Sequence, residues 1–191
     1  MPGMGRWQPD ARGRLARAAL ELYVERGFDR TSVAEIAERA GLTERTFFRH
    51  YADKREVLFA GSSALQEVLA HAVAEAPGSA TPLDAVAVAL EGAAAVLEER
   101  QEHARQRQSV IDANTELQER ELIKLASLSG TLAEALRERG VDEASAGLAA
   151  EVGIAVFKFA FRRWVDRTEE KELAQFVREA LAGLRAVTAD A

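Results

Sequence analysis

The stretch Thr31 to Lys54, TSVAEIAERAGLTERTFFRHYADK, decides how the rest of the chain is read. Ser32 is a good N-cap and Glu35 stands three residues later, so the pair forms a capping box that fixes where a helix begins. Val33, Ile36, Ala37 and Ala40 recur at helical spacing and give that helix one apolar face, which needs something to pack against. Gly41 breaks it, Leu42 plugs the turn, and Thr43 caps a second helix whose first residues, Glu44, Arg45 and Thr46, are polar. Phe47 and Tyr51 then turn inward. Two short helices joined by a glycine turn make a helix-turn-helix pattern, whose second helix enters the major groove N-terminus first. Arg45 can pair bidentately with guanine and the Thr46 methyl can meet thymine. A helical hairpin with a solvated charged face is the plainer alternative.

These residues resemble the tetracycline-repressor (TetR) type of bacterial regulators, from about Leu15 to Leu58. The resemblance is carried, in order and spacing, by Ala18, Ala19, Leu22, Tyr23, Gly27, Phe28, Thr31, Ser32, Val33, Ile36, Ala37, Ala40, Gly41, Thr46, His50, Tyr51, Lys54 and Leu58. It implies an all-α protein: an N-terminal three-helix DNA-binding domain, then a larger helical ligand-binding and dimerisation domain. The set expected at DNA is Arg30, Thr31, Ser32, Thr43, Arg45, Thr46, Phe48, Arg49, His50 and Lys54, with Lys54 on a phosphate. Two positions depart from the family pattern. Arg45 replaces its usual Gly and adds a base reader. Phe48 replaces its usual Tyr and loses that hydroxyl's phosphate contact, which Arg49 can replace electrostatically.

Composition agrees. At 191 residues, with 29% charged and 48% hydrophobic residues, the chain has an ordinary globular balance. It has no cysteine, which excludes disulfides and thiol catalysis and suits a reducing cytoplasm. No uninterrupted apolar run approaches the roughly 20 residues of a membrane helix, and the N-terminus does not read as a signal peptide. A net charge of -6 looks wrong for a DNA binder. Its distribution resolves the conflict: residues 1–60 carry 11 Lys or Arg against 9 Asp or Glu, and the remainder 14 against 22. The local field at the motif is what DNA meets.

The expected layout is a flexible arm over residues 1–9, with Arg6 and Trp7, a DNA-binding domain over 10–54 and a regulatory domain over 55–191. Asp10 caps a first helix through Arg26, ended by Gly27. A long helix is expected from Lys54 to about Ala76, with Gly61 as a packing glycine and a hinge as the alternative, then a turn-rich break at 76–82. Leu83, Val86, Leu90, Ala94 and Leu97 form the next stripe. Glu98 to Gln108 reads as a solvated face or loop, Asn114 as a cap, and Leu122 to Leu136 as a helix ending at Gly140. Asp142 opens a helix with two apolar faces: Leu148, Val152, Ala155 and Phe159, and Ile154, Phe157, Phe161 and Trp164. The last helix runs from about Glu170 to Val187.

A helix apolar on two sides must be covered on both, so a second copy is the expected partner. Val152, Ala155, Phe159, Phe176, Val177, Ala180 and Leu184 are assigned to that interface. A small, largely apolar ligand is expected among Leu90, Val110, Ile111, Leu125, Phe157 and Phe161, with Asn114, His103 or Gln108 as polar anchors. The alternative for each is simple core packing. His50, His71 and His103 lack metal-ligand spacing, no phosphate loop or nucleophile motif appears, and neither an enzyme nor a bound cofactor is expected. The sequence therefore reads as a homodimeric transcriptional repressor that leaves an inverted-repeat operator when a ligand binds. A ligand-independent DNA-binding dimer and an interaction module without specific DNA binding are the rivals.

Overall fold

The computed structural model describes residues 10–166 and 171–189; the N-terminal arm and the Glu170 start of the last helix lie outside them. The described residues are helical, without strands. The first three helices are α1 (Ala11–Arg26), α2 (Val33–Arg39) and α3 (Glu44–His50). The Asp10 carboxylate caps α1 by accepting from the Gly13 N–H. The capping box at Ser32 and Glu35 is present on both sides, and Thr43 Oγ1 accepts from the Thr46 N–H. Gly41 has φ 64°, which lets the chain close a Schellman turn: its N–H donates to Glu38 O and that of Leu42 to Ala37 O. Leu15, Leu22, Tyr23, Phe28, Ile36, Phe47 and Tyr51 bury together as a first core.

The long helix expected after Lys54 is broken. A 3₁₀ turn at Glu56–Phe59 is followed by α4 (Ser62–Glu75), with the bend at Ala60 and Gly61. A side chain at Gly61 would meet nothing within 4 Å, so it is not a packing glycine. The Ser62 hydroxyl bonds to the Phe59 carbonyl across the bend instead. Val57, Leu58 and Phe59 pack into the first core, which therefore reaches past residue 54.

The second core is a bundle of α4, α5 (Pro82–Glu98), α7 (Thr115–Glu138), α8 (Glu143–Asp166) and α9 (Leu173–Ala189), with α6 (Gln101–Asp112) against its lower end. Its crossing points are lined with small residues, Ala85, Ala89, Ala93, Ala146, Ala150 and Gly153. The closest is at Gly153, where an added Cβ would lie 2.3 Å from Val86 Cγ1. By length and mean hydropathy α8 (1.5) and residues 56–75 (1.3) could each cross a membrane. In α8 that hydropathy is spent largely on the bundle, where Ala150, Gly153, Ile154, Phe157, Ala160 and Trp164 are buried.

The charged run Glu98–Gln108 departs most from expectation. It is neither a loop nor merely a solvated face: most of it lies in α6, and Gln108 is buried while Arg107 is largely enclosed. Arg107 Nε donates to Leu58 O at 2.7 Å, its Nη1 pairs with Glu121 at 3.2 Å, and its guanidinium lies over the Phe59 ring. Long side chains whose stems cover apolar surface look solvated in sequence.

Gly153→Ala tests the crossing of α5 and α8. Helix propensity favours Ala by about 1 kcal/mol, but overpacking against Val86 costs about 1–3 kcal/mol. Thermal unfolding is expected to show a net loss, recovered in the Gly153→Ala/Val86→Ala double variant. A gain in Tm from the single change would show that the crossing is loose.

Candidate DNA-binding surface

On α3 the core takes Phe47 and leaves Glu44, Arg45, Phe48 and Arg49 exposed, with Thr46 half-buried beside the cap. Arg45 and Arg49 are one turn apart and carry the positive charge of this face. Thr43 is committed to the cap through its oxygen, yet remains exposed at the helix start. Arg30 is exposed near the start of α2, its Nε donating to Arg26 O at 2.7 Å. The Ser32 hydroxyl donates to Glu35 Oε2 at 2.8 Å, and the bonds from Ser32 hold the Glu35 carboxyl below its usual pKa.

Two expected DNA contacts point elsewhere. Thr31 is buried, and its hydroxyl donates to Gly27 O at 2.9 Å. That hydroxyl ties the α1–α2 loop instead of reaching phosphate. Lys54 Nζ donates to Phe28 O at 2.8 Å and Thr31 O at 3.0 Å, 4.3 Å from the Phe28 ring centroid. The ammonium is a clamp on the loop preceding α2. Tyr23 closes the arrangement from the other side, its hydroxyl donating to Lys54 O at 2.6 Å. Burial raises that phenol's pKa, so it stays a donor. His50 is half-buried, with Nε2 enclosed and unpartnered, so this nitrogen is not held out toward DNA.

Sequence reasoning missed two supports of the surface. Arg14 of α1 donates to Ala40 O at the end of α2. Arg39 pairs bidentately with Glu25 at 3.0 and 2.9 Å. Neither has a local signal, because each joins residues more than a dozen positions apart.

The residues assigned to a ligand pocket do not converge. Val110 and Ile111 belong to the first core, against α1, and so are not pocket residues. Leu90 and Phe157 are buried in the bundle, with Leu125 and Phe161 packed against it. The Asn114 amide donates to Val110 O, so Asn114 stands at the cap position of α7 without capping it. His103 is exposed on α6, and Gln108 bonds to Asp112 and Glu121. An open groove of about 510 Å³ lies between α4 and α7, lined by Gln66, Ala70, Ser127, Thr131 and Glu134 among others.

Of the residues assigned to an interface, Phe176, Val177 and Ala180 are core within the single chain, because this side of α9 packs on α5 and α8. Val152 and Leu184 are half-buried and Ala155 exposed. Phe159, at 59%, and its neighbour on the same stripe, Leu148 at 68%, are the large apolar residues that α8 leaves open.

A capped helix-turn-helix with a cationic second helix, mounted on a separate helical bundle, defines a DNA-binding regulator. Comparison with known proteins agrees. Residues 15–60 match the bacterial regulatory proteins of the tetR family, and residues 80–189, more than half of the chain, match the MftR C-terminal domain. The chain belongs to the TetR family of bacterial transcriptional regulators. It is 41% identical over 75 residues to the transcriptional regulator TcmR of Streptomyces glaucescens, a match covering 39% of this chain and 33% of TcmR. The chain thus spans about a third of the length of that relative.

Two solved structures share the fold. FadR of Bacillus subtilis, in complex with stearoyl-CoA, aligns at 20% identity and TM-score 0.63 over 90% of this chain and 96% of FadR. SmeT, a repressor from Stenotrophomonas maltophilia, in complex with triclosan, aligns at 22% and 0.65 over 93% and 90%.

Lys54→Met separates clamp from phosphate anchor. Two charge-assisted hydrogen bonds are lost, so stability is expected to fall by about 2 kcal/mol and Tm by roughly 5 °C. An unchanged melting curve with uniformly weaker DNA binding would return Lys54 to the phosphates. At the helix itself, Arg45→Ala should relax sequence preference, whereas Arg49→Ala should weaken all duplexes alike and lower the salt slope by about one. Competition titrations at two salt concentrations read both.

Proposed function

We propose that the protein is a cytoplasmic homodimeric repressor that holds an inverted-repeat operator and is released by a small, largely apolar ligand. The observation that carries this reading is the exposed face of α3, where Arg45 and Arg49 stand clear of the core on a helix fixed at both ends. Arg45 and Thr46 read bases, while Arg49, Thr43 and Arg30 face the phosphates. No catalytic step is part of this role.

The second copy docks on the exposed stripe of α8. A protein of two-fold symmetry presents two copies of α3, and this symmetry sets that of the operator. Release needs a path from the bundle to α3, and α6 supplies one. Its Asp112 pairs with Arg162 of α8, while Val110 and Ile111 are fixed in the first core. A ligand that binds better when α6 has shifted draws the protein toward that state, in which the two recognition helices no longer match the groove spacing. The compounds seen with FadR and SmeT, stearoyl-CoA with its long acyl chain and triclosan, are the first to try.

The test is an anisotropy titration against DNA upstream of the protein's own gene, with random competitor at two salt concentrations. Binding that survives competitor with two protomers per site is expected, as is release by one of the trial ligands. Equally weak binding to every sequence, lost with salt, would leave only the electrostatic component and sink the regulator reading. For the interface, Phe159→Glu and Leu148→Glu should each give a monomer by sedimentation and weaken binding to the full operator. A variant that stays dimeric would move the interface off this stripe.

A further inference from the structure

Phe48 is 56% exposed at the middle of the DNA face of α3, between Arg45 and Arg49. Among the described residues its one ring contact is an edge-on approach to Phe47, with centroids 5.4 Å apart and planes at 82°. Phe47 is fully buried, so a rigid neighbour supports the exposed ring. The rest of this face is charged or polar, and an aromatic ring with more than half its surface in water there leaves most of its apolar area unburied.

A phenyl ring has no donor for a phosphate and no acceptor for a base amine. Among the groups that base pairs present in the major groove, one is apolar: the 5-methyl of thymine. A phenyl side chain also has few rotatable bonds to immobilise on binding. We propose that Phe48 is a specificity-determining residue that packs on a thymine 5-methyl in each half-site. This assignment rests on α3 being the recognition helix. The loss of a phenolic hydroxyl at this position thus exchanges a backbone contact for a base contact, and Arg45 and Phe48, one turn apart, read neighbouring bases.

The experiment uses the full-length protein. Duplexes are selected from a randomised library, and each thymine of the enriched site is then replaced singly by deoxyuridine, which removes the methyl alone. One position per half-site, distinct from any thymine met by the Thr46 methyl, is expected to lose roughly threefold to tenfold in affinity, about what burial of a methyl supplies. Phe48→Ala should bind the thymine and uracil forms of that position equally, and Phe48→Leu should keep part of the difference.

Phe48→Leu keeps an apolar side chain at the exposed position, so it serves beside the scan of the unaltered protein if Phe48→Ala disturbs the domain. A site with no methyl-sensitive position would overturn the proposal, and so would one at which every sensitive position stays sensitive in Phe48→Ala, which would assign the methyl to Thr46. Equal losses on selected and random DNA for Phe48→Ala would place the ring on the sugar-phosphate backbone instead. A selection that enriches no sequence would remove the regulator reading as well, and this outcome is distinct from failure at Phe48 alone.

Discussion

The structure depends on the insertion of α6 into a core that is not its own. Val110 and Ile111, with Leu117 at the start of α7, bury against α1 and the 3₁₀ turn. A helix-turn-helix unit of this size cannot bury enough apolar surface to stand alone, and these three residues from the second half complete it. The DNA-binding domain is therefore not a bead on a string. Its stability and its orientation both come from the element that also touches α8.

That insertion makes the charged residues around it intelligible. Arg107 donates to Leu58 O and pairs with Glu121; Gln108 joins Glu121 to Asp112, and Asp112 pairs with Arg162. Burial disfavours the charge on Arg107, while Glu121 restores part of the balance. On the neighbouring side, Glu56 of the 3₁₀ turn accepts from Arg120 and Lys124 of α7. Removing Glu121 leaves the largely enclosed Arg107 guanidinium without its carboxylate, whereas Asp112 and Arg162 are exposed and lose less when parted.

Much of the first domain was legible because its determinants are local. Ser32, Glu35, Gly41 and Thr43 act within a few positions of themselves, and each stands in the structure as its neighbours require. Residues whose partners lie far along the chain were harder to read. Lys54 is a cation beside a DNA-binding motif, and in sequence nothing distinguishes a phosphate contact from a bond to the Phe28 and Thr31 carbonyls. Phe176 and Phe159 both read as apolar stripe residues; only the packing of α9 on α5 and α8 separates the buried ring from the exposed one. The same limit explains the dispersal of the supposed pocket, since Ile111 and Leu90 are equally apolar and lie in different cores.

The character of the bundle sets what an effector must do. Alanines and Gly153 bring α8 close to its neighbours, and Leu90, Leu132, Phe157 and Trp164 fill the space between the helices. A ligand entering between these helices must separate them, and it loses their contacts before it gains its own. Such a ligand discriminates strongly between closed and opened bundles, because almost all its contacts exist in the opened one. That difference in affinity is what shifts a population. Close packing in the closed bundle and the proposed response to an effector would thus have the same origin, with the α6 insertion as the proposed route to α3.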